Sequence, residues 1–305
     1  MTKVFIDGSA GTTGLRIYER LSARDDIELV AISNELRKDI NARKEALNGA
    51  DIAFLCLPDK AAIEAVGLVE NKNTVIIDTS TAHRTDENWC YGFPELENSR
   101  EKIAVSKRIA NPGCHATGFI SLIKPLVEKG ILDQNEILSC FSLTGYSGGG
   151  KSMIADYQGQ DAESLCAPRL YGLAQQHKHL PEMSKICGLV NLPMFSPIVS
   201  SYYSGMEVVV PLSKEQLKGN IDDIKAIYRK YYKTDIISYT ECDENGFLSA
   251  ARLAGKDNMY VSVFGNNDRI TLVSRFDNLG KGASGAAIQN MNIVLGVDEA
   301  TGLNI

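Results

Sequence analysis

No two of the seven cysteines (Cys56, Cys90, Cys114, Cys140, Cys166, Cys187 and Cys242) form a C-x-x-C pair. Their odd, scattered count excludes a disulfide framework and a local zinc knuckle, so they read as reduced thiols. No apolar run approaches the roughly 20 residues a bilayer-spanning helix needs. The opening Met1-Thr2-Lys3-Val4-Phe5-Ile6 enters a strand-like pattern without the marks of a secretory leader. A cytosolic protein with no membrane partner is expected. Basic residues nowhere gather in a block, and the net charge is −6, which would repel a phosphate backbone and argues against nucleic acid. Repeats and low-complexity linkers are also missing. What is present is a 44% hydrophobic chain of 305 residues, long enough to fill two cores.

Val4-Phe5-Ile6 is a short apolar run, followed by Asp7-Gly8-Ser9-Ala10-Gly11-Thr12-Thr13-Gly14 and a helical pattern with Leu15, Tyr18 and Leu21 on one face. The spacing Gly8, Gly11, Gly14 differs by one residue from the usual dinucleotide fingerprint. Its physics is the same: glycines let backbone N–H groups, with Ser9, Thr12 and Thr13 beside them, approach a pyrophosphate at the positive end of a helix. The bland alternative is a glycine turn that only packs a helix on a strand. Three further strand-length apolar runs, Glu28 to Ile32, Asp51 to Leu57 and Thr74 to Asp78, alternate with helix-compatible stretches and predict a parallel, doubly wound sheet.

After the second run the expected ribose-binding acid is replaced by Ser33-Asn34-Glu35-Leu36-Arg37-Lys38. A hydroxyl and two cations suit a 2′-phosphate and favour NADP, although Glu35 keeps NAD open. Pro58 and the segment Asp78 to Arg84 fall at carboxyl ends of strands, where a ligand crevice forms. There Ser80 is placed to reach a cofactor and Arg84 to clamp an anionic substrate group, or to be a plain surface cation.

Asn111-Pro112-Gly113-Cys114 precedes an apolar helical stretch from Thr117 to Val127, so Cys114 falls at or just before a helix N-terminus. There the dipole favours a thiolate able to attack an activated carbonyl. With these pieces together the chain resembles the N-acetyl-gamma-glutamyl-phosphate reductases of arginine biosynthesis, in their short class, and more distantly the aspartate-semialdehyde dehydrogenases. The resemblance covers nearly the whole chain. It rests on Gly8 to Gly14, Asp78 to Arg84 with Tyr91 to Leu96, Asn111 to Cys114, Thr144 to Lys151, His177 to Glu182, and Lys281 to Ala287. It implies an α/β fold: a Rossmann-type parallel-sheet NADP-binding domain from residues 1–113 and 284–305, and an α+β catalytic and oligomerisation domain, 114–283. It also implies NADP(H) as cofactor, Cys114 as the nucleophile and a homodimer or homotetramer. The family's long class carries Tyr-Pro-Thr after the cysteine, whereas this chain has His115-Ala116-Thr117.

Only four histidines occur, His83, His115, His177 and His179. His177-x-His179-x-x-Glu182 supplies proton carriers and an orienting acid, which thioester chemistry needs. A zinc reading of this segment lacks a third histidine or a cysteine at suitable spacing, and the resembling family uses no metal. The resemblance places Tyr171, His177, His179 and Glu182 around the substrate and makes one histidine the general base, His179 ahead of His177.

Gly145-Tyr146-Ser147-Gly148-Gly149-Gly150-Lys151-Ser152 matches the P-loop pattern after a strand-like Ile137 to Leu143, so an ATPase or kinase is a rival. No later strand offers a matching Mg²⁺-binding aspartate. The resemblance instead sets Ser147 and Gly148 beside the substrate. Farther on, Ile198 to Tyr203, Glu207 to Leu212, and a hairpin of Met259 to Phe264 with Arg269 to Arg275 predict a mixed or antiparallel sheet, with an amphipathic helix over Ile221 to Tyr232. The expected reaction is attack of Cys114 on an acyl phosphate, loss of phosphate and hydride transfer from NADPH to the thioester, giving N-acetylglutamate semialdehyde. Aspartate-semialdehyde dehydrogenase is the runner-up.

Overall fold

The computed structural model describes residues 1–159 and 162–305. By its contacts the chain divides into Met1–Gly113 with Ala283–Leu303, and Cys114–Gly282 with Asn304–Ile305.

The first unit begins with β1 (Thr2–Asp7), α1 (Thr12–Leu21), β2 (Ile27–Val30), α2 (Ile40–Gly49), β3 (Ile52–Leu55), α3 (Asp59–Gly67) and β4 (Val75–Asp78). Then follow β5 (Cys90–Tyr91), α4 (Ser99–Val105) and β6 (Arg108–Ala110). The second unit runs through α5 (Cys114–Glu128), β7 (Ser139–Gly145), α6 (Gly150–Gln158), β8 (Arg169–Leu170) and α7 (Leu180–Cys187). It continues with β9 (Met194–Ser200), β10 (Met206–Ser213), α8 (Ile221–Tyr231), β11 (Ile237–Tyr239), β12 (Met259–Gly265) and β13 (Arg269–Phe276), before α9 (Gly285–Leu295) returns to the first unit.

Among the described residues the first sheet has six strands in the order β2-β1-β3-β4-β6-β5, all pairs parallel. Every residue of β3 and β4 is buried, as befits strands covered on both faces. Ile17, Leu21, Ile103, Ile288 and Met291 of α1, α4 and α9 pack on one face, and Ala46, Leu47, Ala62 and Ala65 of α2 and α3 on the other. The sheet is therefore doubly wound, as the alternation of runs predicts.

The second sheet has seven described strands in the order β11-β12-β13-β10-β7-β9-β8. Its four central strands in that order, β13-β10-β7-β9, pair antiparallel except β7 with β9, which is parallel, so the sheet is mixed. Alternation splits β7 cleanly: Cys140, Ser142 and Thr144 are buried while Phe141 is exposed. Helix α5 lies against β10 and β13 because residue 118 is glycine: a Cβ there would overlap Val208 Cγ2 and sit 2.8 Å from Val208 Cβ. Helix α8 is held to α5 by hydroxyls, Tyr228 donating to the Leu122 carbonyl and the adjacent Tyr232 donating to the Ser121 carbonyl at 2.6 Å.

Candidate active site

In the first unit, β1 delivers the chain to Gly8, whose φ of +90° is left-handed and whose missing Cβ would stand 2.9 Å from the Cys56 carbonyl carbon. Only glycine fits there. At Gly14 the absent Cβ would press on the Gly8 carbonyl group, so this glycine lets α1 sit tight on the turn. Gly11 caps α1. The turn borders a cavity of about 470 Å³ lined by Gly8, Ser9, Gly11, Asn34, Arg37, Lys38 and Pro58, among others. Thr12 and Thr13 open α1 immediately after it.

The cavity thus gathers the glycine turn and both cations that the sequence singles out. Glu35 does not line it; its carboxylate is drawn below the usual range by its own backbone N–H and then by the Ser33 hydroxyl. Asp7 does line it. Burial raises the Asp7 carboxyl, and the Arg43 guanidinium 3.0 Å away offsets that rise. Ser80 is committed elsewhere, its hydroxyl donating to Asp78 Oδ2 at 2.7 Å, where His83 Nδ1 also lies at 2.6 Å. Arg84 is buried and donates from Nε to the Asn111 carbonyl and from Nη2 to the Thr79 carbonyl. Both bonds brace the backbone at the carboxyl ends of β4 and β6.

Asn111 extends β6 through its N–H to the Asp78 carbonyl, and its side chain bonds the Ala283 carbonyl at 3.0 Å and accepts from Asn290 Nδ2 at 3.2 Å. The strand end is fixed there, and Pro112-Gly113 carries the chain on to Cys114, the first residue of the second unit and of α5. The amide dipoles at a helix N-terminus favour a thiolate. Other cysteines differ. Burial pushes the Cys56 thiol up to about 12 and raises Cys90, Cys140 and Cys187, while Cys166 and Cys242 are exposed.

Within the second unit the next residue, His115, is buried, with Nδ1 2.7 Å from Ser142 Oγ on β7 and Nε2 2.7 Å from the Tyr171 hydroxyl. Burial, then the neighbouring His177 and Lys178, push the His115 imidazole down to about 3. Burial raises the Tyr171 phenol, and the charge of Cys114 adds to the rise. Tyr171 thus stays a neutral hydroxyl next to the thiol. Gln175 pins the 171–177 segment to β9 by exchanging two hydrogen bonds with the Phe195 backbone.

His177 and His179 complete the group. Their ring centroids lie 4.9 Å apart, and those of His177 and His179 lie 5.5 and 5.4 Å from that of His115. The His179 N–H donates to His177 Nδ1 at 3.3 Å, and burial lowers the His177 imidazole. Glu182, buried in the first turn of α7, follows within the same stretch. The fold therefore brings Tyr171, His177 and His179 to one place, together with His115. Sequence reading passes over His115 and Ser142 because their partners lie 56 and 27 residues away; the signal available was the histidine standing where the long class has tyrosine.

Ser147 is buried and accepts from Asn278 Nδ2 at 3.0 Å. Gly148 follows it in a 3₁₀ turn over Tyr146–Gly149. The backbone N–H groups of Gly145, Tyr146 and Ser147 donate to the carbonyls of Gly205, Tyr202 and Tyr203. A P-loop needs these donors turned to a phosphate, so the resemblance of this loop to a P-loop is one of letters.

Comparison with known proteins agrees with this geometry. The family model described as semialdehyde dehydrogenase, NAD binding domain, matches residues 3–105, and that described as semialdehyde dehydrogenase, dimerisation domain, matches residues 114–278. The N-acetyl-gamma-glutamyl-phosphate reductase of Trichormus variabilis is 45% identical, covering 99% of each chain, and that of Brucella ovis is 45% identical over 96% of this chain and 99% of the relative. Among solved structures, the aspartate semialdehyde dehydrogenase II of Vibrio cholerae complexed with ASA superposes with a TM-score of 0.74 at 18% identity, covering 97% of this chain and 98% of the other. The aspartate semialdehyde dehydrogenase of Candida albicans with NADP gives 0.70 at 17% identity, covering 97% of this chain and 98% of the other. A glycine cradle for a nicotinamide dinucleotide, a cysteine opening α5 and identity sustained end to end leave one assignment: the chain is an oxidoreductase belonging to the N-acetyl-gamma-glutamyl-phosphate reductases, within the semialdehyde dehydrogenase superfamily.

Proposed function

We propose that the chain reduces N-acetyl-gamma-glutamyl phosphate to N-acetylglutamate 5-semialdehyde with NADPH, and that Cys114 carries the acyl group as a thioester. The observation that carries the reading is the position of Cys114: of seven cysteines it is the one that opens a helix beside a neutral tyrosine and a group of imidazoles. The names of relatives at 45% identity support the substrate.

The cofactor's place is supported by the cavity itself. Gly8, Ser9 and Gly11 border it, Gly8 and Gly14 let the turn pack against Cys56 and α1, and Thr12 and Thr13 open the helix whose N-terminus would receive a pyrophosphate. Arg37 and Lys38 suit the 2′-phosphate, and Ser33 holds Glu35 to itself. When bound, the nicotinamide supplies the hydride that reduces the thioester. Ser80, its hydroxyl anchored on Asp78, completes the cofactor-binding set in this reading. The match of residues 3–105 to a semialdehyde dehydrogenase NAD binding domain supports a nicotinamide dinucleotide, and Arg37 with Lys38 favours NADP.

The Cys114 thiolate attacks the acyl carbon, forming the C–S bond as the bond to phosphate breaks and phosphate leaves. After reduction the oxyanion collapses, the C–S bond breaks, and the thiolate returns. His179 or His177 moves the protons these steps release and demand, with Glu182 and Tyr171 lining the substrate. Ser147, Gly148 and Arg84 hold acyl or carboxylate oxygens. Met1–Gly113 with Ala283–Leu303, and Cys114–Gly282 with Asn304–Ile305, serve as the cofactor and catalytic domains, Ala283 falling in the first and the last two residues in the second, against the bounds expected from the sequence.

In this reading the enzyme works in the cytosol as a homodimer or homotetramer. Among the described residues no helix is long and apolar enough to cross a membrane. Phe141, Leu170 and Met194 are exposed on one face of the second sheet, which supports a subunit contact there. The test is a coupled NADPH assay offering N-acetylglutamyl phosphate and aspartyl phosphate in turn. Turnover with the first, reduced at least about 1,000-fold in Cys114→Ser, is expected. Preference for aspartyl phosphate, or a Cys114→Ser enzyme of normal rate, overturns the proposal.

A further inference from the structure

Three imidazoles from two separate stretches of chain converge in the second unit. His115 is the second residue of α5, whereas His177 and His179 lead into α7, and one ring nitrogen of each lies within 4.8 Å of the other two. Among the described residues no other group of three His, Cys, Asp or Glu side chains comes together so closely. We propose that His115, His177 and His179 form a binding site for one divalent first-row transition ion, Zn²⁺ foremost, and that its occupation switches the reductase off.

Imidazole is a preferred ligand of Zn²⁺, Cu²⁺ and Ni²⁺, and three of them with an open fourth position make a familiar tetrahedral set. Zn–N bonds of about 2.0–2.1 Å put ligand nitrogens roughly 3.3 Å apart. The present spacing closes to that by side-chain rotation of at most about 1.5 Å per pair.

The surroundings fit a ligand role. His115 Nδ1 lies 2.7 Å from Ser142 Oγ and Nε2 2.7 Å from the Tyr171 hydroxyl; in the tautomer with the proton on Nδ1, Ser142 accepts it and the Nε2 lone pair faces Tyr171. An outer partner on one nitrogen that fixes the lone pair of the other is the arrangement metal-binding histidines use. A cation would take the place of the Tyr171 proton. The Phe195 ring stands 5.2 Å from His115 and 5.1 Å from His177, walling the rings with an apolar surface. Lys178, exposed and set between two of the ligands in sequence, opposes a cation. Opposition of this kind suits a reversible inhibitor better than a resident ion.

The inhibitory part rests on the reductase reading, since an ion here removes His177 and His179 from proton traffic and frees Tyr171 from His115. The binding part does not. The test titrates Co²⁺ into metal-free full-length protein, following the visible absorption of tetrahedral Co²⁺, then repeats the titration with Cys114→Ser, His115→Phe and His177→Phe, each checked by circular dichroism. One equivalent bound with nitrogen-only spectra, kept in Cys114→Ser and weakened at least about 100-fold in either histidine variant, is expected. Loss of binding in Cys114→Ser would show a thiolate site and overturn the proposal, as would no binding, or undiminished binding in both histidine variants. In parallel, chelator-buffered Zn²⁺ should lower turnover at least about ten-fold and EDTA should restore it. Binding without any NADPH turnover on acyl phosphates would sink the reductase reading and leave the site standing; turnover indifferent to Zn²⁺ would sink the switch alone.

Discussion

Replacing His115 by phenylalanine should make the folded protein less sensitive to acid, by an amount the burial of this side chain sets. In the folded chain the imidazole titrates at about 3, against an ordinary value of 6.5. Below pH 6.5 the unfolded chain therefore takes up a proton that the folded chain refuses. Stability contributed by keeping His115 neutral is whole above pH 6.5 and is lost as the pH falls toward 3, at about 1.4 kcal/mol per pH unit. Between pH 6.5 and 4.5 that is about 3 kcal/mol, and any folded value below about 4 gives nearly the same figure.

The measurement is urea denaturation of wild type and His115→Phe at pH 7.0 and 4.5, with EDTA throughout. Wild type should lose about 2 to 3 kcal/mol more than the variant between the two conditions. The variant also forfeits the bonds to Ser142 and Tyr171, but that loss is present at both pH values and cancels in the comparison. Equal acid sensitivity of the two proteins would mean that His115 accepts a proton in the folded state, and the buried, neutral description would be wrong.

Gly118→Ala should cost about 2 kcal/mol in the same denaturation assay, because overlap with Val208 outweighs the roughly 1 kcal/mol alanine gains in a helix; turnover should fall too, since Cys114 rides on the displaced helix. Arg37→Ala should raise the KM for NADPH about ten-fold and leave that for NADH nearly unchanged; equal effects on both would refute the 2′-phosphate role. Lys151→Ala should change reductase rates less than about two-fold, its side chain being exposed, and nucleotide hydrolysis dependent on Lys151 would revive the P-loop reading.

The parts legible in the sequence are those whose partners are close by in the chain. Gly8, Gly11 and Gly14 announce a turn into α1 because each acts on its neighbours, and Asn111 to Cys114 announces a helix start. Register in the second sheet was less legible. The strand expected from Ile198 begins at Met194 and includes Pro197, which reads as a breaker, yet the Pro197 carbonyl accepts from the Tyr171 N–H. Ser80 and Arg84 carry the composition of ligand-binding residues; their bonds to Asp78 and Thr79 are local, but the one from Arg84 to the Asn111 carbonyl arises only once β4 and β6 lie side by side. The meeting of His115 with His177 and His179 depends on α5 and α7 packing together, which no local pattern encodes.

The second unit is spliced into the first between Gly113 and Ala283, and its own two ends touch: a Cβ on Gly282 would stand 2.9 Å from that of Cys114. An insert whose ends meet can be moved as a cassette, because its host needs only a short join to close behind it. The reactive thiol is the first residue of that cassette, so any transplantation of residues 114–282 into another dinucleotide-binding host carries the nucleophile with it, and position 282 must stay small at the seam.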